Sequence, residues 1–381
     1  MPRTPNNPLD KIRKSLAGCE FLTANFANVP DEPLEDSAAH LTLYRHHMPI
    51  VPSLVPSVAK VLDVVCKRLG VPRDLVHGFI DPSREVNAYC RHDIKSAAVL
   101  IVNAGMVANL DEAELTQALG HELGHFLLPV SHDRLDGDRP SSWEDARYSR
   151  HAEFAMDRIG LLAGRDVDAA FRMFLKLQSG LGTDHVIIDF KAYISATEAG
   201  YTVPTSELDA CADHPDVNAR IRALAMFAQS DYYLNFIGQK GGKPIAEIDE
   251  AIALELGQDV DVFVVTSIAE TSKSVATYLL ALALVTGSKV PQGDLATPGF
   301  NPDMAEAKKL AKRLVGLPEG DWEAVYKAEL SPHIQAAVIR CPRQLAGHLE
   351  VIVERVRGTD MEQKVQDLSE AFYSFVQTLR G

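Results

Sequence analysis

Residues 111–128, DEAELTQALGHELGHFLL, constrain this chain more than any other stretch. Asp111 stands where an N-cap belongs, and Leu115, Ala118, Leu119, Glu122 and Phe126 recur every three or four residues. The segment therefore reads as one amphipathic helix. On such a helix His121 and His125, at i and i+4, lie one above the other and present their imidazoles to the same point in space. Glu122 is rotated by about 100° from His121, so it falls beside that point rather than at it.

That geometry suits a single Zn²⁺ held by two imidazoles, with Glu122 able to reach a bound water as a general base. A helix can also carry two histidines for packing or solvation alone, so the rest of the chain has to decide. A catalytic zinc usually takes three protein ligands and keeps one position for water. Glu153 lies 28 residues after His125 in a second helical segment, SRHAEFAMDRIGLLAG (149–164), and Asp157 follows four residues later on the same face. One of these carboxylates can bind the metal while the other accepts the spare N–H of His121 and fixes its tautomer. His151, two residues before Glu153, is turned to a different face.

Around these helices the chain changes character. The first fifty residues are Pro-rich and read as an extended lead-in (1–50). PSVAKVLDVVCKRLG (56–70), with Val58, Val61, Val64, Val65 and Leu69 at helical spacing, opens a packed domain. Two strand-like segments follow, DLVHGFIDPSREVNAYC (74–90) and SAAVLIVNAGMV (96–107). SHDRLDGDRPSSWEDARY (131–148) reads as the loop between the two histidine- and carboxylate-bearing helices, and in CADHPDVNARIRALAMF (211–227) a turn at His214 and Pro215 runs into a helix. From about residue 245 the pattern is one of amphipathic helices, such as MAEAKKLAKRLVGL and the terminal VQDLSEAFYSFVQTL. These readings give an α+β chain: a metal-binding domain over 51–240 and a helical C-terminal domain over 241–381.

Composition removes several classes of function. Acidic side chains outnumber basic ones by 52 to 38, a formal charge of −14, and no stretch gathers the Lys and Arg that nucleic acid would require. The five cysteines, Cys19, Cys66, Cys90, Cys211 and Cys341, are scattered and without CxxC spacing, which points to a reducing compartment and no thiolate site. The N-terminus has no apolar run of signal-peptide length, and the apolar stretch Val275–Val285 is about half as long as the roughly 20 residues that cross a bilayer. The expected location is the cytoplasm, with no transmembrane segment.

HELGH at 121–125, YSRHAEFAMDRIG with Glu153 and Asp157, NAY at 87–89, and the His214–Pro215 pair with Arg220 following together resemble the gluzincin metallopeptidases of the HtpX-like and CAAX-prenyl-protease type. The resemblance covers about residues 55–230. It implies a zincin-like fold, a mixed sheet over two active-site helices, with one zinc per chain on His121, His125 and Glu153 and with Asp157 behind His121. It further implies that Asn87, Ala88 and Tyr89 form a strand on which an extended polypeptide substrate lies, and that His214 and Arg220 serve near the metal. The family usually places a second acid and an alanine where this chain has Ala155 and Met156, positions that then either support the ligands from behind or serve packing.

The implied activity is endoproteolysis of extended or unfolded polypeptides, through a zinc-activated water with Glu122 as general base. His214 either donates to the oxyanion or occupies the open metal position and holds the enzyme inactive. Two other classes compete: a zinc-binding pseudoenzyme or adaptor acting through the C-terminal helices, and a zinc hydrolase of a non-peptide bond. The intact Glu122 counts against the first and the NAY strand against the second. The C-terminal helices are expected to offer a surface for a protein partner or for self-association.

Overall fold

A computed structural model describes residues 38–91, 97–128, 143–182, 184–185, 189–197, 212, 214–256, a set of positions between 266 and 285, and 302–318. These fall into two compact units. The first holds the described residues up to Leu256, apart from residues 143–148 and 212. The second holds those two stretches and the described residues beyond 258.

In the first unit, helix α1 (Ala38–His46) and strand β1 (Met48–Pro49) precede helix α2 (Pro56–Leu69) and strands β2 (Val76–Asp81), β3 (Ala88–Cys90) and β4 (Ala98–Asn103). The sheet order is β1-β2-β4-β3, with β2 and β4 parallel and both outer strands antiparallel. β4 is an inner strand, buried at all six positions, which explains the apolar run AVLIV that precedes Asn103. Ala98, Leu100 and Val102 face the main core, whereas Val99 and Ile101 join Phe79 beneath Leu43 of α1. Residues 38–46 are thus helical, not extended: the other face of the sheet is also apolar, and a helix covers it.

The strand-like segment 74–90 is two strands. Pro82 has no N–H to give a ladder, and the Asp81 carboxylate accepts from the Ser83 backbone at 2.8 Å to start the loop. The segment 96–107 likewise ends as a strand at Asn103, where helix α3 (Ala104–Asn109) begins. Gly105 packs so tightly there that a Cβ would lie 2.1 Å from the Arg84 carbonyl oxygen.

Helix α4 (Glu112–Leu127) begins as the sequence predicts. The Asp111 carboxylate accepts from the backbones of Ala113 and Glu114, and the Glu114 side chain accepts from the Asp111 backbone, closing a capping box. Helix α5 (Trp143–Gly164) starts within the expected loop, so WEDARY is helical; residues 129–142 lie outside the described set. α4 and α5 cross closely because small residues meet. A Cβ on Gly120 would stand 2.6 Å from that of Ala163, and one on Gly124 would stand 2.9 Å from the Met156 sulfur. Ala155 and Met156 are buried packing residues, as expected.

Helices α6 (Val167–Ser179), α7 (Phe190–Thr197), α8 (Val217–Phe227), α9 (Asp231–Phe236) and α10 (Ile245–Leu256) follow. α10 packs Ile248 and Ile252 against Phe154, Ala219 and Ala223, and its Asp249 pairs with Arg158 at 2.7 Å. The first unit therefore extends past the expected boundary at 240: the apolar stripe of α10 is matched by α5 and α8. In the second unit, helix α11 (Met304–Val315) is capped by Asp303 and packs Ala307 and Ala311 against Leu280 and Ala281. The terminal stripe from Val365 to Leu379 and residues 1–37 lie outside the described residues. No described helix is long and apolar enough to cross a membrane.

Candidate metal centre

The two imidazoles of α4 and the Glu153 carboxylate of α5 converge as the spacing predicts. Ligand-type atoms of His121, His125 and Glu153 all lie within 4.8 Å of one another, and this is the one such group among the described residues. Glu153 Oε2 stands 3.3 Å from His121 Nε2, and Glu153 Oε1 stands 3.5 Å from His125 Nε2. His151 points elsewhere, its ring set edge-on to Phe154 at 6.3 Å.

Asp157, one turn after Glu153, takes the other nitrogen of His121, with Oδ1 2.9 Å from Nδ1. A carboxylate there accepts from Nδ1 and leaves Nε2 as the nitrogen turned toward Glu153. Arg220 of α8 holds Asp157 with a two-pronged grip, Nε to Oδ2 at 2.8 Å and Nη2 to Oδ1 at 2.6 Å. Its Nη2 also lies 3.3 Å from Glu153 Oε2, and its guanidinium stacks on the Phe174 ring, 4.9 Å from the centroid.

Electrostatics follow from this crowding. Burial alone would depress the His121 imidazole, but the Glu153 and Asp157 carboxylates outweigh it and push it up to about 10. Burial likewise works against ionised Glu153 and Asp157, and their cationic neighbours, His121 for the first and Arg220 for the second, still hold both below the usual carboxylate range. Glu122 differs. Burial pushes its carboxyl up to about 7, since its cationic neighbours and a hydrogen bond from the Cys90 backbone offset only part of that cost and Glu153 adds to it. Arg220 stays firmly protonated, because Asp157 overcomes its desolvation.

The residues fit a divalent cation. Three carboxylates and one guanidinium surround two imidazoles, so the field that favours a proton on His121 equally favours a metal ion. Glu153 Oε2 is buried yet makes no hydrogen bond of adequate geometry, which suits an oxygen whose partner is a metal. Two nitrogens and one carboxylate oxygen form a donor set that zinc takes in catalytic sites.

The remaining expected residues lie around this cluster. His214, largely exposed in the turn before α8, brings Nε2 to 3.8 Å from Glu153 Oε1. Asn87 immediately precedes β3, which is an edge of the sheet; Ala88 is buried and Tyr89 exposed. Nothing in the motifs of the sequence points to Phe174 or to the Cys90 backbone as neighbours of this cluster, or to Glu114 as a buried partner of α6. The D-x-x-E of residues 111–114 could have flagged Glu114, since it is the pattern of a capping box.

A small mixed sheet packed with helices here carries a two-histidine, one-carboxylate cluster whose donor set suits a metal ion. Comparison with known proteins narrows this: residues 52–132, which include α2, the sheet strands β2 to β4 and α4, match the sequence model of peptidase family M48. The match supports a zinc metallopeptidase family, and His121, His125 and Glu153 form a group that could hold its metal. No curated protein and no solved structure matches the chain.

Proposed function

We propose that this chain is a zinc-dependent endopeptidase of the HtpX-like and CAAX-protease type that cleaves extended or unfolded polypeptides. The observation that carries the reading is the convergence of His121, His125 and Glu153 with a carboxyl, Glu122, beside them whose proton affinity is raised to about 7.

His121, His125 and Glu153 would hold the metal. When bound, zinc lowers the pKa of water from about 15.7 to about 7 and polarises the scissile carbonyl. The chain's own residues supply the rest. Glu122, poised near neutrality, takes the proton of the attacking water and returns it to the leaving amine. Asp157 holds His121 by Nδ1, and Arg220 holds Asp157. His214, at the exposed rim beside Glu153, is suited to donate to the carbonyl oxygen as charge builds on it. Among the described strands β3 has one unpaired edge, and the Cys90 backbone reaches Glu122, so a peptide added along Asn87–Tyr89 would run past the base. The buried free thiols Cys66 and Cys90 agree with a reducing, cytoplasmic setting.

Hydrolysis of casein with and without a chelator tests the reading. Turnover that is lost with the metal and restored by zinc is the expected result. A chain that holds zinc yet leaves casein and peptides intact would instead favour an adaptor.

A further inference from the structure

Helix α6 packs against both α4 and α8, and it touches each with a different face. Residues 172 and 176 share one face, while residue 174 is about 200° from 176 on the opposite side. On the first face, Lys176 Nζ donates to Glu114 Oε2 at 2.6 Å and to the Asn109 carbonyl at 3.1 Å, and Arg172 Nε donates to Glu114 Oε1 at 2.8 Å. Lys176 and Glu114 are both buried, so this pairing pins α6 to the start of the helix that carries His121 and His125. On the other face Phe174, only 1% exposed, sets its ring beneath the Arg220 guanidinium, with Cζ 4.9 Å from the ring centroid.

Arg220 has a long side chain with many rotamers. Its two bonds to Asp157 and the approach of Nη2 to Glu153 Oε2 at 3.3 Å all engage the edge of the guanidinium and leave its face to other contacts. The ring of Phe174 covers that face: its negative face attracts the cation, while Lys176, two residues further on, anchors the same helix to Glu114. We infer that Phe174 is a positioning residue of the metal centre: its ring face seats Arg220, which through Asp157 sets the orientation and tautomer of His121. The inference rests on reading His121, His125 and Glu153 as a zinc site.

The test alters the ring's electron density and leaves its shape nearly intact. Phe174 is replaced, at that position alone in the full chain, by mono-, tri- and pentafluorophenylalanine. Two readouts are taken: the rate of zinc release to a chromophoric chelator, and the visible absorption of the cobalt-loaded protein, which reports ligand geometry. Release should quicken stepwise with fluorine content, reaching about tenfold to thirtyfold for the fully fluorinated ring, as loss of a desolvated cation–π contact requires. The cobalt bands should shift in the same order. In an Arg220→Met background the series should be flat; if that variant does not fold, Arg220→Met with Asp157→Asn serves, since it leaves no unpaired carboxylate. A flat series with Arg220 present, or an equal rise without it, overturns the inference, because the ring then acts by packing alone. A chain that takes up no zinc overturns the metal reading and this role together, whereas zinc uptake with a flat series overturns this role only.

Discussion

Glu122 sits one residue past a metal-directed histidine, close enough to the cluster to feel Glu153 and enclosed enough that burial raises its carboxyl to about 7. Its neutral isostere keeps the shape and removes the base. Glu122→Gln should therefore retain stoichiometric zinc while turnover falls by roughly 10² to 10⁴, and His125→Ala should lose the zinc itself. Metal analysis alongside peptide kinetics checks both, and an active Glu122→Gln would remove Glu122 as the base. His214 gives a prediction of sign: His214→Ala lowers turnover by about 10² if the imidazole stabilises the oxyanion, and raises it if the imidazole plugs the metal. A thiol supplies a pH prediction far from the metal. Burial pushes Cys66 up to about 11 from its ordinary 9.0, so the folded chain should resist alkylation at Cys66 at pH 8 and react only after unfolding. Because the unfolded thiol ionises first, this group's contribution to stability is present below pH 9 and is lost as pH rises toward 11. Site-resolved mass spectrometry after labelling reads the first effect.

At the scale of elements, the readable parts were those that local chemistry determines. The cap at Asp111, the helical period of α4, the i, i+4 pair and the turn at His214–Pro215 are all encoded within a few residues. What could not be read depends on partners distant in sequence. Lys176 and Glu114 look like solvated charges on amphipathic helices, and they become buried only because α6 and α4 face one another. Sheet order is another such property, since nothing local tells β4 to lie between β2 and β3. Close helix crossing stands between these cases: Gly120, Gly124 and Gly160 are visible in the sequence, but their purpose appears only when α4 meets α5. A Cβ at Gly120 would face the short, unyielding Ala163 side chain at 2.6 Å, so Gly120→Val must push the helices apart. The expected cost is about 1–3 kcal/mol of stability, as for other overpacked cores. Separation also draws Glu153 away from the imidazoles, so zinc affinity should fall with the melting temperature. A variant that melts lower yet binds zinc as tightly would show that the crossing serves stability alone.

For the whole molecule, the question is where the metal-binding unit ends. The turn to amphipathic helices from about residue 245 places the expected boundary at 240, but α10 belongs to the first unit. Its Ile248 and Ile252 cover Phe154, the residue next to Glu153, together with Ala219 and Ala223 beside Arg220. Asp249 pairs with Arg158, the residue next to Asp157, and Arg158 stacks on Phe227 at 4.9 Å. α10 thus clasps the two helices that carry Glu153, Asp157 and Arg220. Removing one partner of a buried ion pair typically costs about 3–5 kcal/mol, which is a large part of the roughly 5–15 kcal/mol that a domain has. Two shortened chains, ending at residues 240 and 258, separate the possibilities. The longer keeps α10 and should bind zinc and melt cooperatively; the shorter should lose both properties. Whatever residues beyond 258 contribute, both chains lack it, so the difference between them reports residues 241–258 alone. Equal zinc content and equal melting temperatures would mean that α10 is an accessory to the metal-binding unit rather than part of it.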